Sequence, residues 1–205
     1  DQLNGDPYTI TRVLRLHPGD TNLGRMTDAD AIAEQVMDGR LEIADGLSQL
    51  RDIDKPPSTA YQALQAVSFG VASGMVVSLF PGTGWGDLFA SSVLGALIGV
   101  LLQFGVGRPR LFDAVEALAA FLVTFAASYL ASHVIPLSVN AVIISALIIL
   151  MPGLMLTTAI NELANQQLAS GSARFAGAIT VLLKLTFGTI LAAQLVALLG
   201  WQPLS

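Results

Sequence analysis

Four ionisable side chains stand inside or beside long apolar runs in the second half of the chain. Glu116 and Lys184 are flanked by apolar residues, whereas Glu162 and Arg174 border a polar stretch between two such runs. A charged group in hydrocarbon is costly unless it faces a partner or a wet cavity, so these residues are candidates for handling a polar solute. We predict that Lys184 pairs with Glu162 or Glu116. The alternatives are that Lys184 reaches the membrane surface along its own stem, or that the pair only fixes helix packing.

A second chemical signal is the pair Pro152-Gly153, which interrupts an apolar run. A proline inside a helix leaves the carbonyl four residues earlier, here that of Ile148, without its donor. No water replaces that donor in hydrocarbon, so this part of the helix must pack against protein or line a cavity. Broken helices near polar side chains are typical of transporter binding sites. The simpler alternative is a kink, because proline and glycine are common in membrane helices.

The composition indicates a membrane protein. Apolar residues make up 53% of the chain, charged residues only 12%, and the mean hydropathy is +0.65, against about 25% charged residues in soluble domains. Residues 1–55 hold six basic and eleven acidic residues, which is the whole net charge of −5. This acidic segment argues against nucleic acid or anionic lipid as its partner. The chain has no cysteine and two distant histidines, so we predict neither disulfides, nor a metal site, nor a cofactor.

Five apolar segments follow, each long enough to cross about 30 Å of hydrocarbon as a helix. Basic residues precede the first segment and lie in the loops after the second and the fourth segments, whereas the loops after the first and the third have none. By the positive-inside rule, this places the N-terminus in the cytoplasm and the C-terminus outside. The spacings Gly70-x-x-x-Gly74 and Gly95-x-x-x-Gly99 allow close helix packing. The predicted spans run over residues 60–80, 88–106, 111–134, 140–159 and 175–199.

The predicted fold class is therefore all-α membrane, with five transmembrane helices preceded by a partial α+β cytoplasmic domain. We divide the chain into a head at 1–55, which we expect to be incomplete, a linker at 56–59 and a membrane domain at 60–205. Residues 8–16 are β-branched and partly alternating, which predicts one strand of a small sheet. His17 and Asp20 in the following loop would suit a hydrolase, but no second cluster completes such a site. We predict that the chain is not an enzyme.

In order and spacing, several weak motifs resemble the N-terminal half of the threonine/serine exporter family. The resemblance covers residues 16–199, and it implies a secondary exporter of small hydroxylated amino acids, coupled to protons. It also implies a second membrane half, fused or separate. We expect a homo- or hetero-oligomer in the inner (cytoplasmic) membrane, and the acidic segment makes a nucleic-acid partner unexpected. Some relatives resemble exporters of dicarboxylates such as succinate, so a dicarboxylate is an alternative substrate. The motifs are Asp20-Thr21-Asn22, the helical segment 27–54, the five spans, Pro152-Gly153-Leu154 and Ser172-Ala173-Arg174-Phe175.

These arguments meet at the fourth predicted span. Backbone carbonyls exposed at the break would hold a substrate ammonium group, and a nearby basic side chain would attract its carboxylate. Hydroxyl and amide groups would add neutral hydrogen bonds, and one carboxyl group would carry the proton. The predicted substrate-binding residues are Pro152, Gly153, Thr157, Thr158, Asn161, Arg174 and Lys184, and the predicted proton-coupling residues are Glu116 and Glu162.

Three other functions fit the same sequence. A membrane-anchored hydrolase would turn over substrate in the detached head. A structural subunit would tolerate apolar replacements of Glu116, Glu162 and Lys184. A channel would work without a proton gradient.

Overall fold

The computed structural model of the chain describes residues 23–53, 58–105 and 109–202. Every regular element in these ranges is a helix. For the apolar segments this is expected, because in an apolar environment a helix satisfies its own backbone groups. The elements are α1 Leu23–Met37, α2 Ile43–Ile53, α3 Thr59–Val77, α4 Trp85–Gly105, α5 Pro109–His133, α6 Val139–Leu147, a 3₁₀ turn Ile148–Leu150, α7 Gly153–Ala164 and α8 Leu168–Leu198.

The described part of the head is helical, and the prediction of an α+β head is not supported. Helices α1 and α2 pack against each other, joined by a turn in which Gly39 adopts a positive φ of 70°. Helix α1 begins at Leu23, so the two-helix segment starts four residues earlier than the sequence suggested. The predicted strand at 8–16 lies outside the described residues, as do His17 and Asp20.

In the described part of the membrane domain, four helices are long and apolar enough to span a bilayer, namely α3, α4, α5 and α8. The fourth predicted segment is divided: α6 with its 3₁₀ turn and α7 are bent by 57° relative to each other. Counted as one broken span, the pair brings the total to five, as predicted. Helix α8 is about 46 Å long, so part of it extends beyond the hydrocarbon core.

The direction of α8 shows that the broken pair carries the chain from one end of the bundle to the other. Lys184 of α8 meets Glu116 near the start of α5, and Trp201 just after α8 meets His133 at the end of α5. Helices α5 and α8 therefore run parallel. For α8 to run parallel to α5, the chain must return after α5 to the end of the bundle where α5 began. The α6–α7 pair makes this return, so it cannot be a loop that re-emerges on the side it entered.

Small residues hold α3 directly on α4. A Cβ atom added to Gly99 would lie 2.7 Å from the Cα of Ala66, and one added to Gly70 would lie 2.7 Å from the carbonyl oxygen of Ser92. Such backbone-to-backbone contact is possible only for glycine. The packing role predicted for the two glycine motifs is therefore confirmed, and α3–α4 forms a closely packed pair.

At the opposite end from Glu116, a buried carboxylate joins two loops. Asp87 in the first turn of α4 accepts hydrogen bonds from the backbone N–H groups of Gly84, at 2.8 Å, and Ser138, at 2.6 Å. These bonds tie the α3–α4 loop to the segment that enters α6, and thereby fix where the broken span begins.

Candidate functional site

The helix break is centred on Pro152. The carbonyl of Ile148 loses its usual donor, as predicted, and accepts instead from the N–H of Met151 at 3.1 Å. The N–H of Gly153 donates to the carbonyl of Met151 at 2.8 Å, and α7 then continues in a new direction. The carbonyls of Ile148 and Met151 therefore both accept from nearby backbone N–H groups, and neither needs a side chain from another helix.

A cavity of about 360 Å³ lies against this break. Glu116 is seven residues into α5 and Gln65 six residues into α3, so the cavity is about 10 Å from the ends where those helices begin. Its wall is mostly apolar, with four polar side chains. The lining residues are Gln65, Phe69, Leu102, Val115, Glu116, residues 149–155, Thr158, Arg174 and Val181.

The first ion pair joins α8 to α5 at the cavity. The Nζ atom of Lys184 lies 3.4 Å from Oε2 of Glu116, and the two side chains are only 29% and 17% exposed. Of the two acidic partners that the sequence left open for Lys184, the structure therefore shows Glu116. Because Glu116 lines the cavity, one negative charge of the pair borders the enclosed space.

The second ion pair joins α7 to α8. The Nε atom of Arg174 donates to Oε1 of Glu162 at 2.9 Å, and α7 also packs closely here, with Leu163 against Gly171. The other carboxylate oxygen of Glu162, Oε2, is buried and has no hydrogen-bond partner in the described part of the chain. Arg174 lines the cavity, so a positive charge borders it as well as a negative one.

The structure brings together some of the predicted residues and leaves others outside. Pro152, Gly153, Thr158, Arg174 and Glu116 line the cavity, while Lys184 and Glu162 each pair with one of the two charged lining residues.

Two predicted residues point elsewhere. Thr157 and Asn161 are exposed and are not among the residues that line the cavity; the hydroxyl of Thr157 donates to the carbonyl of Gly153 at 2.9 Å. Sequence reasoning missed Gln65, although a lone amide near the start of the first apolar segment is a signal that could have marked it.

A larger depression of about 610 Å³ lies at the opposite end of the bundle, around Trp201 and Asn140. None of its described lining residues is charged. We place the candidate site at the smaller cavity, because that cavity combines a helix break with side chains of both signs.

The fold and the site define a multi-span helical membrane protein with a cavity at a broken helix that is lined by charged side chains of both signs, which is the architecture of a membrane transporter. The chain belongs to the threonine/serine exporter family: residues 2–196 match the family model described as "Putative threonine/serine exporter". The family resemblance read from the sequence is thereby confirmed.

The chain is also similar to fungal proteins of greater length. An uncharacterised protein of Schizosaccharomyces pombe is 28% identical over 89% of this chain and 22% of its own length. Proteins called pheromone-regulated membrane protein 10 are 27% identical in Pichia sorbitophila, over 96% of this chain and 20% of theirs, and 28% identical in Debaryomyces hansenii, over 88% and 18%. The chain thus spans about a fifth of the length of these curated relatives. No solved structure matches it.

Proposed function

We propose that the protein exports small zwitterionic amino acids that carry a hydroxyl group, such as threonine and serine, in exchange for protons. The observation that supports this proposal is the cavity at the Pro152 break, which is bordered by the carboxylate of Glu116 and the guanidinium of Arg174. An α-amino acid presents one charge of each sign on adjacent atoms. A cavity with one acidic and one basic side chain matches that pattern.

In this proposal, Arg174 binds the substrate carboxylate through charge-assisted hydrogen bonds. Only its Nε is engaged by Glu162 in the structure, so the guanidinium has further donors to offer. The substrate ammonium group is held by Glu116, together with backbone carbonyls at the break. Thr158, which also lines the cavity, supplies a neutral hydrogen bond.

The charge balance of the site favours an amino acid over a dicarboxylate. The two ion pairs contain two acidic and two basic side chains and are therefore neutral together. A neutral zwitterion enters without adding net charge, whereas a succinate dianion brings two negative charges into a poorly solvated space, which is costly unless cations compensate them.

Proton coupling follows if protons and substrate compete for Glu116. The ionised carboxylate binds the ammonium group, and a proton arriving at that carboxylate removes the charge that held it. Because only one of the two can occupy Glu116, entry of a proton releases the substrate, which is the requirement for exchange. Glu162, with one buried and unpartnered oxygen, is the second candidate for the proton.

We further propose that the chain lies in the inner (cytoplasmic) membrane with its N-terminus in the cytoplasm, and that a second membrane half completes the pathway. The sequence-based orientation puts the ends where α3 and α5 begin on the cytoplasmic side. The cavity, which lies about 10 Å from those ends, is then close to the compartment from which an exporter loads.

Vesicles that contain the chain together with its second membrane half, under an imposed pH gradient, test the proposal, with serine, threonine and succinate compared as substrates. We expect serine and threonine to be transported in preference to succinate, and Arg174→Gln to raise the half-saturating concentration at least tenfold. Glu116→Gln should remove the dependence on the pH gradient. The matched control is Arg51→Gln, a change at an exposed position of α2. Near-normal transport by both cavity variants, or a preference for succinate, would contradict the proposal.

A further inference from the structure

One polar side chain in the cavity has no role in the exchange described above. Gln65 of α3 is half-buried and lines the cavity together with the residues of the helix break. Among the residues that the structure describes, its amide has no hydrogen-bond partner. A primary amide offers two donors and an acceptor, and groups of this kind are normally paired when they leave water.

The backbone that carries Gln65 is fixed on both sides. One residue further along, Ala66 packs so closely on Gly99 of α4 that a Cβ there would lie 2.7 Å away. Three residues earlier, the carbonyl of Gln62 accepts a hydrogen bond from Nε2 of Gln103 at 2.7 Å. Gln65 therefore reaches the cavity from the closely packed α3–α4 pair, whereas Thr158 reaches it from α7 and Arg174 from α8.

We infer that Gln65 determines substrate specificity by hydrogen-bonding the hydroxyl group of the substrate side chain. The inference rests on the proposed function, in which Glu116 and Arg174 hold the two charged groups on the α-carbon. A substrate so anchored directs its side chain to the remaining wall. The amide of Gln65 is the neutral group on the α3 side that can both donate to and accept from a hydroxyl.

This arrangement discriminates threonine from valine, which has the same shape but a methyl group in place of the hydroxyl. Valine would leave the amide of Gln65 enclosed and unpartnered, and an unmade hydrogen bond of this kind costs about tenfold in affinity.

The test is competition by threonine and valine for radiolabelled serine bound to the purified protein. The variant is Gln65→Met, which keeps the length of the side chain and removes its hydrogen bonds. The control is the same change at Gln194, an exposed residue of α8 that is not among the lining residues of the cavity. We expect threonine to bind about tenfold more tightly than valine in the wild type and in Gln194→Met, and the two to bind about equally in Gln65→Met.

Retained binding of valine in Gln65→Met shows that the variant is folded. The inference is overturned if the preference for threonine survives in Gln65→Met, if the wild type has no such preference, or if Gln65→Met loses threonine and valine binding alike. Failure of the wild type to bind any of these amino acids would instead overturn the proposed function on which the inference rests. Binding of serine together with an unchanged preference in Gln65→Met overturns the specificity role alone.

Discussion

Replacing Lys184 by methionine tests the ion pair at the cavity. The change keeps the length of the side chain and removes its charge, so the carboxylate of Glu116 remains with no cation at 3.4 Å. An ionised group left without its partner in a poorly solvated place destabilises the folded state more than the intact pair stabilises it. We expect Lys184→Met to lower stability measurably.

The size of the effect can be worked from the geometry. At 3.4 Å, the Coulomb attraction is about 5 kcal/mol for an effective dielectric constant of about 20. The side chains are 29% and 17% exposed, and removing one member of a more deeply buried pair costs roughly 3–5 kcal/mol. Solvent screening reduces this to about 2–3 kcal/mol, which corresponds to a fall in Tm of roughly 4–12 °C for a domain of this size.

The assay is thermal unfolding of the detergent-solubilised protein, with a double-mutant cycle of Lys184→Met and Glu116→Gln. Neutralising both partners removes the orphaned charge, so the double variant should be at least about 1 kcal/mol more stable than the sum of the single changes predicts. A coupling energy below about 0.5 kcal/mol between the two changes would refute the reasoning, because additive effects would show that the two charges do not interact.

Two further predictions concern packing and the loops. Gly188→Ala places a Cβ 2.2 Å from the backbone carbonyl oxygen of Ala117, so it should separate α5 from α8 and lower Tm strongly. The control is Gly177→Ala on the same helix, whose Cβ meets only the flexible end of Met155 and should be tolerated. Equal Tm values for the two variants would contradict this prediction. Asp87→Asn replaces one of the two accepting oxygens by an NH2 group, so one of the two backbone N–H groups loses its acceptor, and the change should cost about 1–3 kcal/mol of unfolding free energy. An unchanged unfolding midpoint would show that this carboxylate is not needed to join the loops.

The sequence by itself determined the membrane class, the number and approximate ends of the spans, the packing role of the glycine motifs and the position of the break. Each of these depends on properties that are local along the chain. The free energy of transferring an apolar run into hydrocarbon is a sum over its residues. Because Pro152 has no N–H, the carbonyl of Ile148 loses its donor whatever surrounds the helix.

Tertiary structure alone decided which groups meet. The sequence left Lys184 with two acidic partners, and only the parallel packing of α5 and α8 selected Glu116. Thr157 and Asn161 were grouped with Thr158 because they are close in sequence, yet only Thr158 lines the cavity. Rotation of a helix about its axis and its crossing with distant neighbours fix such contacts, and neither quantity is encoded in the hydropathy of one segment. Gln65 illustrates the same point, since its place in the cavity wall depends on how α3 lies against elements more than 80 residues away in the chain.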